Sequence, residues 1–144
     1  MTTSLSSQHK ALVQSTFRAV LPVSDTVARL FYGRLFELAP ELRRLFKSNM
    51  DQQGPKLIGM LALAVKELER PAELIPVLQE LGRRHVEYGV KSEHYPIVGE
   101  ALLWTLENVF GTAFTQDVRQ AWAATYGFLS SVCIEAAYAP ASSK

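Results

Sequence analysis

Apolar side chains recur along most of the chain at spacings of three and four residues, which is the spacing of one face of an α-helix. A first stripe ends at Val20 and a second runs from Val27 to Leu38, with the helix-interrupting Pro22 between them. No stretch alternates apolar and polar residues at a period of two, so no strand is predicted. The pattern predicts an all-α fold of about six to eight helices of unequal length.

Proline and glycine residues mark the other predicted boundaries. Pro40 opens a short helical segment over 40–46, and the polar stretch 47–54 is interpreted as a connection. Pro71 and Pro76 are expected to break the chain, and Gly89 is expected to end the helix that follows them. The remaining helices are predicted at residues 57–68, about 74–88, 95–109 and 118–136.

The composition is that of one ordinary globular domain spanning residues 1–144, with short disordered ends expected at 1–4 and 139–144. Hydrophobic side chains make up 48% of the chain and charged ones 20%, a balance unlike that of disordered proteins. Fifteen basic residues face fourteen acidic ones, for a formal charge of +1. This near-balance gives no reason to expect nucleic acid or an anionic membrane as the main partner.

Cysteine content and the N-terminus indicate a cytoplasmic location. The single cysteine, Cys133, excludes an intrachain disulfide and a cysteine-rich zinc site, and it suits a reducing compartment. The first seven residues lack the basic and apolar blocks of a signal peptide. No apolar run is long enough to cross a bilayer, so no membrane association is expected.

The three histidines are the residues that carry the most chemical information. His9 is interpreted as a surface or boundary residue, and His94, just before Tyr95 and Pro96, as a capping or solvated residue at a helix start. His85 lies late in a predicted helix. A histidine there is either a metal ligand or, more ordinarily, a core or surface residue. The chain contains no HExxH pair, GxSxG motif or dinucleotide-binding glycine motif. A haem needs only one protein ligand and an apolar slot, and the absence of a CxxCH motif would make it non-covalent, that is b-type.

Three separate stretches resemble the single-domain bacterial haemoglobins and the globin domain of flavohaemoglobins. Residues 81–102, LGRRHVEYGVKSEHYPIVGEAL, resemble the proximal region of this family, and residues 30–46, beginning LFYGRLF, resemble its second helix and the bend that follows. Ala121-Trp122 and Tyr126-Gly127 resemble its last helix. The resemblance covers about residues 5–138. It implies a globin fold built around one b-type haem.

The resemblance also assigns roles to individual residues around the haem. His85 corresponds to the proximal iron ligand, and Phe46 to the aromatic residue that packs on the haem face. Tyr32 and Gln53 correspond to the two distal polar groups that hydrogen-bond a gas ligand. Leu57 corresponds to an apolar wall of the distal pocket.

Further positions complete the implied haem pocket. The other residues implied to contact the haem are Arg84, Val90, Tyr95 and Val98. Tyr95 and Glu135 match a pair that hydrogen-bonds around the proximal histidine in flavohaemoglobins, where an acceptor on the imidazole increases electron density at the iron. If Glu135 instead faces solvent, the imidazole has only a main-chain carbonyl as partner. Lys56 is expected to meet a haem propionate or solvent, or, once deprotonated, to bind the iron.

The function implied by the resemblance is reversible binding of oxygen, nitric oxide and carbon monoxide. Oxygen scavenging and nitric oxide detoxification are both compatible with tyrosine and glutamine donors in the distal pocket. Because the flavin and nicotinamide domains of flavohaemoglobins have no counterpart within 144 residues, nitric oxide dioxygenation is expected to require an external reductase. A gas or redox sensor and a haem-free globin-like module of a stress complex are the alternatives. The chain is expected to be a monomer or a homodimer.

Overall fold

The computed structural model describes residues 6–46 and 50–138, and for residues 50–52 it describes the main chain only. The described residues contain no strand, and they form six α-helices: α1 (Ser7–Val20), α2 (Ser24–Leu38), α3 (Met50–Lys66), α4 (Pro71–Tyr88), α5 (His94–Phe110) and α6 (Gln116–Tyr138). Four short 3₁₀ segments connect them: Leu21–Val23, Pro40–Leu45, Glu67–Glu69 and Gly111–Ala113. The all-α prediction is confirmed. The chain ends predicted to be disordered lie outside the described residues.

Local sequence explains where several helices begin and end. The hydroxyl of Ser6 caps α1 by accepting a hydrogen bond of 3.0 Å from the main-chain N–H of His9. Gly89 ends α4 with a φ of 99°, in the left-handed region where a residue with a side chain is strained. The main-chain N–H of Val90 then donates to the carbonyl of His85, which closes the last turn of α4.

Two predicted boundaries are wrong. Helix α3 begins at Met50, so residues 50–54 are helical and do not form the connection predicted for 47–54. Residues 47–49 lie outside the described part of the chain. Helix α4 begins at Pro71 and continues through Pro76 without a break. Pro71 suits the first turn of a helix because its missing N–H would have no helical partner there. Pro76 leaves one carbonyl, that of Ala72, without a helical donor, and since both residues are exposed, water can take the donor's place.

The helices pack in pairs and enclose an internal space. Helix α6 packs against α1 and α4, while α2 packs against α5 and α3. One buried cluster is centred on Trp122 of α6, Phe31 of α2 and Leu106 of α5. A second cluster joins α4 to α6 through Leu78 and Cys133. None of the helices in the described ranges combines the length and apolar character needed to cross a lipid bilayer.

Candidate functional site

A cavity of about 690 Å³ lies between helices α2 to α6 and the 3₁₀ segment Pro40–Leu45. Its volume falls within the range of roughly 300–1,000 Å³ that is typical of small-molecule and cofactor sites. Most of its lining is aliphatic or aromatic, including Leu57, Met60 and Leu102. Interspersed among these side chains are imidazole, phenol, amide and ammonium groups, together with the carboxylate of Glu87 and the hydroxyl of Ser130, which suits the cavity to a large apolar ligand with a few polar contacts.

His85 lines this cavity from the last turn of α4. Its Nδ1 atom lies 2.7 Å from the main-chain carbonyl oxygen of Leu81. A carbonyl oxygen can only accept, so Nδ1 carries the proton and donates, and Nε2 of the neutral ring keeps its lone pair. The ring lies between Tyr95 and Tyr88, at centroid distances of 6.1 and 6.2 Å. This main-chain hydrogen bond therefore leaves the lone pair on Nε2 of His85, which is the form of a neutral imidazole that can bind a metal ion.

Helices α2 and α3 place a second group of polar and aromatic side chains along the cavity. Tyr32, Phe46, Gln53 and Leu57 all line it, as the resemblance implied. The Tyr32 ring meets the Phe46 ring edge to face at a centroid distance of 5.4 Å, and its hydroxyl donates to the main-chain carbonyl of Gln53 at 3.5 Å. Burial raises the pKa of the Tyr32 phenol to about 12, so this group is a neutral hydrogen-bond donor at ordinary pH.

Tyr95 lines the same cavity at the start of α5. Its phenol oxygen is buried and makes no hydrogen bond within the described residues. Burial, together with the proximity of Cys133 and Tyr138, raises the pKa of this phenol above its ordinary value. A buried phenol without a partner is costly, so Tyr95 is a donor that a bound group can satisfy.

The structure does not bring Glu135 to His85 or Tyr95. Glu135 is exposed on α6, is not among the residues that line the cavity, and makes no hydrogen bond with either residue among those described. The imidazole of His85 instead has the Leu81 carbonyl as its partner. This geometry matches the alternative in which Glu135 is solvated.

Arg84 also lies away from the cavity. Its guanidinium pairs with the carboxylate of Glu80 at 3.3 Å on the exposed face of α4. Val90 and Val98 do line the cavity, and so does Lys56, whose side chain is exposed. Lys56 is the one lysine or arginine among the described lining residues.

His94 differs from its sequence-based interpretation in both respects. Its Nδ1 atom accepts a hydrogen bond of 3.0 Å from the main-chain N–H of Lys91 in the turn before α5, and no side chain caps the start of this helix. The side chain is not solvated either, since only 6% of it is exposed, and it lines the cavity.

Several cavity residues have no counterpart in the sequence-based site. Leu81 lies about one turn before His85, and Leu61 lies one turn after Leu57. Helical spacing from the predicted residues is the signal that identifies both. Tyr126 and Cys133 come from α6, and no signal in their own segment connects them with this cavity.

The side chains present fit a haem. The cavity is large and mainly apolar, one imidazole offers a nitrogen lone pair to iron, and Tyr95 contributes a buried phenol without a partner. Lys56 supplies a cation that can balance a carboxylate. His85 would hold the iron, and Phe46 and Leu57 would contact the porphyrin or its gas ligand.

Comparison with known proteins agrees with this geometry. The sequence profile named Globin matches residues 29–133 of the chain, which is most of its length. The chain belongs to the globin family. Family membership implies a haem cofactor, and the globin fold expected from the sequence is confirmed by the structural neighbours described below.

Among the sequence relatives of this globin are bacterial flavohemoproteins. The flavohemoprotein of Bordetella parapertussis is 36% identical over 97% of this chain, and that of Chromobacterium violaceum is 35% identical over 90% of it. The aligned region makes up only 36% and 33% of these two relatives. The globin therefore spans about a third of the length of the curated relatives that it matches.

Solved structures of two bacterial proteins have the same fold. One is an engineered carbene transferase, RmaNOD, from Rhodothermus marinus, which is named as a candidate nitric oxide dioxygenase. It superposes with a TM-score of 0.79 at 30% identity and covers 89% of both chains. A globin of Campylobacter jejuni also gives a TM-score of 0.79, at 24% identity, with coverage of 92% of this chain and 96% of that one. At that identity, the second likeness concerns the fold alone.

Proposed function

We propose that this globin holds a b-type haem through Nε2 of His85 and reversibly binds oxygen, nitric oxide and carbon monoxide in the cavity. The observation that carries the proposal is the hydrogen bond between Nδ1 of His85 and the Leu81 carbonyl. It leaves an imidazole lone pair inside a mainly apolar cavity. The chain has no CxxCH motif for covalent attachment, so the haem is held by packing and coordination.

A haem held by His85 would supply an iron that, when ferrous, binds diatomic gases. The contribution of the chain is to stabilise the ligand and to exclude water. The neutral phenol of Tyr32 would donate a hydrogen bond to an oxygen ligand, which carries partial negative charge. In the structure this hydroxyl makes only a long contact of 3.5 Å with the Gln53 carbonyl, so it can turn to a ligand at little cost. Phe46 and Leu57 keep the neighbouring space apolar.

Lys56 and Gln53 complete this proposed site. Lys56 is exposed and lines the cavity, which suits an ion pair with a haem propionate at the solvent side. The Gln53 side chain is half-buried on α3 and serves as the second donor to the gas ligand. A resting sixth ligand from either residue would appear in the spectrum of the ferrous protein.

The catalytic activity we propose is nitric oxide dioxygenation with an external reductase. Nitric oxide and dioxygen combine to nitrate with the consumption of one electron, which the reductase must return to the haem. The flavohemoprotein relatives and the Rhodothermus candidate nitric oxide dioxygenase support this reaction class. A binding protein that captures oxygen without turnover is the second candidate, because the exposed Glu135 leaves only a main-chain carbonyl as the partner of His85.

Optical spectroscopy tests the haem proposal first. Purified protein is reconstituted with haem, and spectra are recorded in the ferric, the dithionite-reduced and the carbon monoxide-bound states. A Soret band that shifts normally with carbon monoxide is expected. A protein that takes up no haem would contradict the proposal.

Turnover then separates the two functions. Nitrate formation is followed with NADH, a bacterial flavin reductase, oxygen and repeated additions of nitric oxide. Sustained nitrate formation at many equivalents per haem supports the dioxygenase. One equivalent of nitrate followed by a stable ferric protein supports oxygen capture, because single-turnover reaction with nitric oxide is common to globins.

A further inference from the structure

A second imidazole lines the cavity that contains His85. His94 is the first residue of α5, and only 6% of its side chain is exposed. The main-chain N–H of Lys91 donates to its Nδ1 atom at 3.0 Å. The other ring nitrogen, Nε2, makes no hydrogen bond within the described residues. It is not among the described polar atoms that are both sealed from solvent and without a hydrogen bond, and the residue itself lines the cavity.

The main chain holds the two cavity histidines in opposite tautomers. Leu81 offers a carbonyl, so the proton of neutral His85 is on Nδ1 and its lone pair is on Nε2. Lys91 offers an N–H, so the lone pair of His94 is on Nδ1 and its proton is on Nε2. While the Lys91 contact persists, Nε2 of His94 cannot bind iron. It is a hydrogen-bond donor instead.

A donor in this position needs an acceptor from the molecule that fills the cavity. A ligand that fills the cavity displaces water from this N–H, which then loses its hydration and gains nothing in return unless the ligand offers an acceptor. The pyrrole nitrogens of a haem are committed to iron, and its peripheral acceptors are the two propionate carboxylates. We propose that His94 is a haem-binding residue whose Nε2–H donates a hydrogen bond to one of these carboxylates. This inference rests on the proposed haem binding.

Two substitutions separate haem contact from the bond to the Lys91 turn. In His94→Asn, an amide oxygen near the position of Nδ1 can still accept from Lys91, but the shorter side chain has no donor at the position of Nε2. In His94→Gln, an amide nitrogen reaches near the position of Nε2, but the acceptor for Lys91 is lost. The readout is the rate at which haem passes from the ferric protein to excess apomyoglobin, with thermal unfolding of the apoprotein as a measure of the bond to Lys91.

We expect His94→Asn to speed haem loss roughly ten- to hundred-fold, the usual range for one hydrogen bond to a charged group. We expect His94→Gln to keep haem loss near the wild-type rate while lowering the unfolding temperature. The reverse pattern, with unchanged haem loss in His94→Asn and faster loss in His94→Gln, would overturn the inference and leave His94 as a residue that only holds the Lys91 turn. Wild-type protein that binds no haem would be a failure of the proposed function, visible before any variant is made.

Iron etioporphyrin, which carries no carboxylate, tests the chemical identity of the acceptor. With this porphyrin, wild-type and His94→Asn proteins should lose the cofactor at the same rate. A difference as large as that seen with haem would indicate apolar packing and overturn the inference. The wild-type protein gives an independent test in its diamagnetic carbon monoxide form, where ¹H–¹⁵N NMR locates the imidazole proton. A proton on Nδ1 of His94 would contradict the inference without any substitution.

Discussion

Gly82 of α4 lies directly against the main chain of Cys133 in α6. A Cβ atom placed on Gly82 would lie 2.9 Å from both the carbonyl carbon and the Cα atom of Cys133, and closer still to its carbonyl oxygen. This close contact sets the distance between α4 and α6. Gly82 precedes His85 by about one turn, so His85 lies next to the crossing. The crossing therefore connects the packing of α4 with the position of His85 in the cavity.

Gly82→Ala should force α4 and α6 apart, because the obstructing atoms are main chain and cannot rotate away. Overpacking of this kind costs about 1–3 kcal/mol, and the shift of His85 should also speed haem loss. The free energy of unfolding in urea and haem transfer to apomyoglobin are the measurements.

Gly59→Ala is the matched control. This exposed position in α3 has no neighbour within 4 Å of an added Cβ, so alanine should stabilise the helix by about 0.5–1 kcal/mol. Equal effects of the two substitutions would show that the crossing tolerates a side chain.

His85→Gly should remove the iron ligand and leave a space for a free imidazole. The variant is expected to retain haem poorly and to give an abnormal ferrous carbon monoxide spectrum. Added imidazole should restore the wild-type spectrum, because it supplies the same nitrogen ligand without the chain. His9→Gly is the control, since His9 lies in α1 and does not line the cavity. A normal spectrum in His85→Gly without imidazole would exclude His85 as the ligand.

Tyr32→Phe should raise the dissociation rate of oxygen. The substitution keeps the ring that contacts Phe46 but removes a donor worth on the order of 1–3 kcal/mol, or roughly ten- to hundred-fold in rate. Stopped-flow displacement of oxygen by carbon monoxide measures this rate. Carbon monoxide carries less negative charge than oxygen, so its own dissociation should change less. An unchanged oxygen rate would remove Tyr32 from the distal network.

The stability of the apoprotein should fall at alkaline pH. Burial raises the pKa of Cys133 from 9.0 to about 11 and that of Tyr32 from 10.0 to about 12. A group whose pKa is higher in the folded state stabilises the fold fully below its unfolded pKa. That contribution is lost as the pH rises toward the folded value. Stability should therefore decline from near pH 9, first through Cys133 and then through Tyr32.

Urea unfolding at a series of alkaline pH values measures this decline. Cys133→Ala should flatten the slope between about pH 9 and 11, because alanine has no proton to lose. Tyr32→Phe should flatten it only above about pH 10. A slope that neither substitution changes would assign the alkaline loss to other groups, of which Tyr95 and Tyr126 also have a raised pKa through burial.

The amino-acid sequence alone determined the helical class and most helix ends, because these depend on contacts between residues three or four positions apart. Apolar spacing predicted the helices, and Gly89 ends α4 as expected because its φ of 99° suits glycine. Pro76 misled the prediction, because the cost of proline depends on whether water reaches the carbonyl that it leaves free. The resemblance to bacterial haemoglobins assigned pocket roles to His85, Tyr32 and Phe46, and all three line one cavity in the structure.

Tertiary structure decided which side chains meet. Glu135 and Tyr95 are forty residues apart in sequence, and the rotation of α6 about its axis turns Glu135 to solvent. For Arg84, the spacing of four residues from Glu80 was a visible signal of the ion pair that the structure contains. For His94, the sequence indicated a capping or solvated residue, and the structure shows instead a local bond to the turn before α5. Its burial against the cavity depends on how α5 crosses the neighbouring helices, and no spacing within one helix specifies that crossing.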